Sequence, residues 1–512
     1  MYSRLASSLR RLAPLGLGFW LACSSGGGVQ PRDAGGLSDA SATAEAGAAG
    51  DAADEVEAMG SGGAAGSSGT LTVNTTCGLS ITDACPRDHA TDGLCGLEEA
   101  LLAMEDRKSE YGCDWSGTMG SDDTIVIPTS GRFTVSASLS ISRAVTIRSS
   151  TAGSLATLVA TVGNDMFGVT PKDPIAITFQ DLHLIGPGQW LDTLATGLAI
   201  SGQGGDPGPT INVTRCWIEQ FSDGAIVASD VTLNITDSTL DSNGNDYGDG
   251  GGGLFYNTGG DAQSQVSFLN INNSSITRNH STKGGGIQIQ ANTVSRITNS
   301  TVSDNLTEGG HGGGISFANN AGPLAGGVLR IVGSTIAFNG STENDGAGIA
   351  VAANRELFTE NVNNRLYLAG SVVANNCLAK IDPDQSFTCI SSNDVYADIY
   401  LLQDTLLGSR MFSTIVEAEQ GGAGLVGVTL LDVDAGLDPT LTDQGGVGEH
   451  HPQVHMLNSD SVAIDATDVL LPVEGMTAVY ALDQCHRPRG FDHLPAGPKV
   501  FDLGAVERRS NP

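Results

Sequence analysis

Arg278, His280 and Lys283 stand within one short stretch just ahead of Gly284, and all three can take or give a proton. An arginine or lysine beside carboxylates holding Ca2+ can remove the proton α to a uronate carboxyl, the chemistry of polysaccharide cleavage by elimination. One repeat later come Asp304 and Gly310-His311-Gly312. A hydrolase using that histidine segment would also need an aspartate trio and an Arg-Ile-Lys segment. The second is absent, and Asp304 has no aspartate pair one repeat earlier. The remaining basic candidates of this region are Arg215, Arg296 and Arg330. There is no Gly-x-Ser-x-Gly elbow and no His-Glu-x-x-His, and the glycine runs GDGGGGL and HGGGI lack the Lys-Ser/Thr ending of a phosphate loop. Solvated turns are the simpler reading of Arg278, His280, Lys283 and His311, and corner packing that of the glycines. Trp217, Tyr247, Phe255 and Tyr256 form the one local aromatic group that suits a sugar platform, with one of the alternating Phe255 and Tyr256 expected in the core.

What must position these residues is a repeat. Ser238 to Asn243 reads STLDSN, Ser274 to Asn279 SSITRN, Ser300 to Asn305 STVSDN, Ser334 to Asn339 STIAFN and Ser371 to Asn376 SVVANN. Between them Gly253-Leu254, Gly286-Ile287, Gly314-Ile315 and Gly348-Ile349 each open an alternating apolar run, with weaker versions at Gly197 and Gly224. Successive glycines lie 27, 29, 33, 28 and 34 residues apart, a period that means a solenoid. The apolar runs are short, rich in Val, Ile, Leu and Thr, and alternate with period two, which is strand patterning. An asparagine recurring at one register can stack on its copies, its amide satisfying turn backbone. The expected fold is all-β: a right-handed, single-stranded parallel β-helix with three short strands per coil. Asn243, Asn279, Asn305, Asn339 and Asn376 should form a structural ladder.

The totals restrict partners. Of 512 residues 69 are glycine, and 57 Asp plus Glu against 25 Lys plus Arg give a formal charge of −32. Such a surface repels phosphate backbones, so no nucleic-acid partner is expected. Acidity here is mainly a solubility feature; Ca2+ held by clustered carboxylates is the one cofactor to consider. Arg4, Arg10 and Arg11 precede the short apolar run LAPLGLGFWLA and then Cys23, an export signal too short to span a bilayer. The WLAC ending resembles a bacterial lipobox with Trp20 in place of the usual Leu, which implies lipidation at Cys23. Residues 24–70 contain no aromatic and read as a flexible tether, with a reach of roughly 35–40 Å. Membrane contact is expected only through that lipid, at the outer membrane or cell surface, with a secreted or periplasmic protein as the alternative.

The cysteines after Cys23 are Cys77, Cys85, Cys95, Cys113, Cys216, Cys377, Cys389 and Cys485. An even number in an exported chain favours disulfides. Cys377 with Cys389 encloses one short loop; Cys85 with Cys95 and Cys77 with Cys113 are the next pairs expected. CGLEEALLAMEDRKSE puts Leu97, Leu101 and Met104 on one stripe of a capping helix.

Cys95-Gly-Leu-Glu-Glu-Ala100, then Leu101 and DTIVIP, is similar to the CSLREA segment that opens many bacterial β-helix surface proteins, with Gly96 for Ser and Glu98 for Arg. SVAIDATD (461–468), DQCHRPRGF (483–491) and FDLGAVE (501–507) resemble the C-terminal block of the choice-of-anchor Q family. The resemblance implies a cell-surface β-helix, here anchored at Cys23. The expected organisation is an export signal over 1–22, a tether over 23–70, an N-terminal cap and first strands over 71–150, repeats over 151–415 and a C-terminal cap over 416–512. The expected role is a monomeric, non-catalytic binding, adhesion or envelope-structural lipoprotein meeting extracellular polysaccharide or another surface protein. A polysaccharide lyase or glycoside hydrolase acting on acidic glycans is the alternative.

Overall fold

The computed structural model describes residues 69–73, 95–106 and, with internal gaps, 113–401, then short stretches up to residue 505. The export signal, Cys23, Cys77, Cys85, Tyr247 and Cys485 lie outside the described residues. Alternating short strands coil into a right-handed parallel β-helix. Sheet 1 holds twelve strands, sheet 2 eleven and sheet 3 ten, each taking one strand from every coil in turn. Numbering coils by their sheet 1 strand, coil 1 begins at Asp123–Ile127, coil 4 at Thr210–Thr214, coil 7 at Thr293–Thr298 and coil 9 at Arg365–Ala369. Strands stack about 4.8 Å apart, so equivalent residues of neighbouring coils lie in columns along the axis.

The alternation points one column per sheet inward. In sheet 1, Ile125, Ile147, Phe179, Val213, Ile235, Ile271, Ile297, Ile331 and Leu368 pair in register and are all buried. Sheet 2 contributes Leu158, Leu184, Ile218, Leu240, Ile276, Val302 and Ile336, and sheet 3 Leu198, Ile226, Leu254, Ile287, Ile315 and Ile349. Each fully buried aliphatic side chain stabilises by roughly 1.5–3 kcal/mol, and like stacks on like without voids.

The bends carry the polar ladders. Between sheets 1 and 2 the residue before the repeat serine takes a left-handed conformation: Asp237, Asn273, Asn299 and Gly333 have φ of 50°, 49°, 47° and 55°. Each buried serine then accepts the backbone N–H of its predecessor, as Ser274 from Ser238 at 3.2 Å and Ser300 from Ser274 at 3.1 Å. After sheet 2 a second left-handed residue precedes the asparagine. Asn279 Oδ1 accepts both the backbone N–H and the amide of Asn243, and its own amide donates to Leu240 O at 2.9 Å and Asn305 Oδ1 at 3.0 Å. The pattern repeats through Asn305, Asn339 and Asn376, all buried. In coil 4, Phe221 fills the slot and starts the chain by donating its N–H to Asn243 Oδ1.

These ladders explain the glycines. A Cβ on Gly314 would sit 2.6 Å from Gly348 O and 2.9 Å from Asn339 Nδ2; Gly286 faces Gly314 O and Asn305 in the same way. Gly314→Ala is therefore expected to destabilise the fold by about 2–3 kcal/mol through overpacking against rigid backbone, measured by the denaturant midpoint. Gly309→Ala, whose Cβ would meet nothing within 4 Å, carries only its φ of 77° and serves as the contrast.

The N-terminal end is closed by α-helix Leu97–Asp106, which buries Leu97, Ala100, Leu101, Ala103 and Met104 against the first coil. Glu99 accepts the Gly96 N–H at 2.7 Å, half of a capping box, and two acidic residues in the first turn suit the helix dipole. Glu105 accepts Ser142 N–H at 2.8 Å and pairs with Arg143. Strand Gly69–Thr72 runs parallel to Asp123–Ile127 and is itself covered by antiparallel Trp115–Gly117, so the ordered fold takes in the last two residues assigned to the tether.

Several expectations need correcting. Cys95 bonds to Cys113, not to Cys85, and Cys113 therefore not to Cys77. The helix intervening between Cys95 and Cys113 folds the chain back, so nearness in sequence does not decide the partner. Cys377 and Cys389 do pair, across the antiparallel strands Cys377–Ile381 and Phe387–Ser391. Cys216 is a buried thiol at the serine-ladder position, pushed up to about 12 by burial. Coils 6 to 9 carry four strands where three were expected, because His280–Ser281, Leu306–Thr307, Gly340–Ser341 and Cys377–Ile381 form sheet 4. In the C-terminal block, Glu419–Gln420 and Leu430–Leu431 still extend sheets 3 and 2, and the described residues from Ala435 onward lie along the flank, on the outside of sheet 2. Ala435, Leu437, Leu457 and Ala463 pack on Ala337, Val372 and Ala374; Gln484 reaches Ser274, Ser275 and Thr301; Ala505 N–H donates to Thr335.

Candidate functional site

Chemistry-bearing groups gather on the outer face of sheet 2, at the edge of that C-terminal cover. The left-handed position before each ladder asparagine is Ser242, Arg278, Asp304 and Phe338 in coils 5 to 8, with φ between 54° and 56°. Before them come Asp241, Thr277, Ser303 and Ala337, paired in register. Residues 26 to 36 positions apart thus stand one strand apart, through the corner geometry alone.

Arg278 Nη2 lies 2.8 Å from Asp241 Oδ1 and donates to Gln453 Oε1 at 2.9 Å; Thr277 Oγ1 donates to the same Asp241 oxygen. Next to it, Ser303 Oγ lies 2.6 Å from His455 Nε2 and 2.9 Å from Asp304 Oδ2. His455 Nδ1 donates to Asp438 O at 2.7 Å, and its ring packs on Phe338 at 4.6 Å. That assigns the Nε2 lone pair to accept from Ser303. Burial lowers His455 to about 4, opposed by Asp438. Burial raises Asp304 to about 6, aided by Asp241 and opposed by Ser303 and Arg278. Ser303 and His455 are both buried, so this Ser–His contact joins two parts of the chain and offers no nucleophile to solvent.

The sequence candidates do not converge. Arg278 is the most exposed member of a clamp. His280 lies buried in sheet 4, with Nε2 3.8 Å from Glu308, so the solvated-turn expectation fails for it. The ladder fixes Asn279, and the next residue then enters the extra strand. Lys283 is exposed; His311 is half-buried, its carbonyl accepting Gly284 N–H at 3.2 Å. Asp304 belongs to the junction with His455.

Of the aromatic group, Tyr256 is core, its hydroxyl donating to Val231 O, and Phe255 is half-buried. Trp217 stacks flat on His183, centroids 4.3 Å apart and planes 6° apart, and His183 meets Glu219 at 3.0 Å. Register places Thr239 on the next strand, so the rings stack along the axis as a cross-strand column. Below them Arg215 grips Asp181 through two bonds of 2.6 and 3.0 Å.

Sequence reasoning missed the serine ladder, whose signal was the serine of each repeat, and His455, which has no local signal. It also missed an outward amide row on sheet 1: Asn270 donates to Asn234 at 2.9 Å, Asn234 to Asn212 at 3.0 Å and Asn212 to Thr178 at 3.3 Å. Among the described residues no group of three or more His, Cys, Asp or Glu is placed to hold a metal ion, Ca2+ included, and no helix is long and apolar enough to cross a membrane. No protein-family model, curated protein or solved structure matches the chain.

Proposed function

We propose that this chain is an exported lipoprotein, anchored through Cys23, that displays a β-helix at the cell surface for binding or adhesion without catalysis. The observation that carries this reading is the engagement of Arg278. A base that removes a proton must be free to take it, and this guanidinium is held by Asp241 and Gln453. The sheet 2 cluster fastens the C-terminal block, and a rigid rod with a fastened flank suits display. The CSLREA-like segment around the capping helix and the choice-of-anchor Q-like block over sheet 2 support assignment to that surface class. Its partners are extracellular polysaccharide or another surface protein.

Cleavage of acidic glycans is the second reading, favoured by the raised Asp304 carboxyl in the range of a general acid. The test uses the full chain in mild detergent with acidic and neutral polysaccharides, with and without Ca2+. Direct binding is recorded beside new reducing ends and unsaturated-uronide absorbance. Binding without cleavage is the expected result; any cleavage that Asp304→Asn abolishes establishes the enzyme instead.

A further inference from the structure

The outer face of sheet 1 departs from the rest of the molecule in charge. The chain has more than twice as many carboxylates as cations, 57 against 25. The strands of sheet 1 nevertheless carry five arginines, Arg148, Arg296, Arg330, Arg365 and Arg410, and a single carboxylate, Asp123. That one is buried at the start of its strand, accepting the Gly69 and Gly120 N–H groups. Register concentrates the cations further. The outward central column reads Thr146, Thr178, Asn212, Asn234, Asn270, Arg296, Arg330, Tyr367 from coil 2 to coil 9. Arg365 stands two residues aside, opposite Val328.

Arg296 and Arg330 are directly opposed on neighbouring strands, a like-charge placement that costs the free protein stability. Neither Arg330 nor Arg365 pairs with a carboxylate among the described residues; Arg330 lies over the Tyr367 ring at 5.6 Å. Seven strands of this column, from Thr178 to Tyr367, span roughly 29 Å. Over that length side-chain amides and hydroxyls lead into guanidiniums. Amides and hydroxyls match sugar hydroxyls, and guanidinium forks match carboxylates. The net negative charge elsewhere does not forbid an anionic ligand, since charges beyond about 8 Å are largely screened at physiological salt.

Resting on the binding role proposed above, we infer that this face is the ligand site and that its ligand is a linear acidic polysaccharide laid along the helix axis, its carboxylates on Arg296, Arg330 and Arg365. The flat, regular face and the row of amides favour a hydroxyl-rich polyanion over one that presents phosphates alone.

The experiment titrates the full chain with polygalacturonate, with the same polymer fully methyl-esterified, with duplex DNA and with anionic vesicles at about 0.15 M salt. The variants are R330Q/R365Q, R330K/R365K and, as a charge control on the exposed rim of sheet 2, R132Q. The expected result is binding of polygalacturonate, at least ten-fold weaker binding of the ester, and at least ten-fold loss in R330Q/R365Q with a melting temperature no lower than wild type, since R330Q relieves the repulsion from Arg296. R330K/R365K should fall between, and R132Q should match wild type. Equal binding by wild type and R330Q/R365Q overturns the site while leaving a binding role intact, as does equal binding of the ester. Preference for DNA or vesicles overturns the ligand class. If wild type binds no polysaccharide at all, the polysaccharide-binding role itself falls, and this site with it.

Discussion

Asn305→Ala is expected to cost the fold about 4–6 kcal/mol, read as a shift of the denaturant midpoint at constant slope. The side chain makes four ladder contacts inside a dry corner. Its Oδ1 accepts the Asn279 backbone N–H and amide, both at 3.0 Å, and its amide donates to Ile276 O and Asn339 Oδ1, both at 2.9 Å. Truncation removes one partner from each and leaves the others buried, at about 1–3 kcal/mol for each group left unsatisfied. The four partners do not all lose everything, since the Asn279 amide also donates to Leu240 O and Asn339 Oδ1 also accepts the Asn305 backbone N–H, and this places the sum below four full penalties. Asn305→Asp keeps the acceptor but turns an oxygen toward Ile276 O and Asn339 Oδ1, so it should be no better tolerated. Asn270→Ala, in the half-buried outward amide row, removes contacts that water can largely replace and should cost under about 1 kcal/mol. A similar loss at both positions would show that the buried ladder has no special weight.

The junction of Ser303, Asp304 and His455 should respond to acid in a way that depends on which partner remains. His455 titrates near 4 in the fold against 6.5 unfolded, so the unfolded state binds more protons between those values. Its contribution is whole above about 6.5 and is lost as pH falls toward 4. Asp304 titrates near 6 in the fold against 3.8 unfolded, so its contribution is whole below about 3.8 and is lost as pH rises through 6. Between pH 4 and 6 the folded junction keeps its proton on Asp304 and the unfolded chain keeps it on His455. Ser303 then donates to His455 and accepts from Asp304, and every group is satisfied. Wild-type stability should therefore be nearly flat over that range. Asp304→Asn should lose stability as pH falls from 6.5 to 4, and His455→Gln should lose it as pH rises from 4 to 6. Each slope approaches about 1.4 kcal/mol per pH unit for a fully buried group, and less for Asp304, a third of whose side chain is exposed. Parallel profiles in the two variants would sink this account. Protease protection of Leu437–Leu457 should follow the same curves, since His455 anchors that hairpin.

The architecture was legible because it is written locally and repeatedly. Gly-Ile steps, period-two runs and Ser-to-Asn spacing each need only neighbouring residues to be read, and Leu97, Leu101 and Met104 declare their helix the same way. Sheet 4 was not legible, since two-residue strands such as His280–Ser281 have no alternation to detect. The flank contacts of Gln453, His455 and Gln484 were beyond reach because they join residues 152 to 210 positions apart through side chains of ordinary type. The arginine face was hidden for another reason. Arg296 and Arg330 look scattered until register sets them opposite each other, and uneven gaps between coils conceal register in the linear text.

Those uneven gaps say something about inheritance. Successive ladder asparagines lie 36, 26, 34 and 37 residues apart, yet every one hands its N–H forward to the next in the same sense. The hydrogen-bond chain has a direction and no fixed length. A whole coil copied in tandem would bring one donor and one acceptor and rejoin both neighbours without a loose end. A partial copy would orphan one of each. Selection acting on such a gene can therefore lengthen or shorten the rod in whole coils while rewriting the connections between strands almost freely. The length of the rod and the groups carried on its faces then become separate traits.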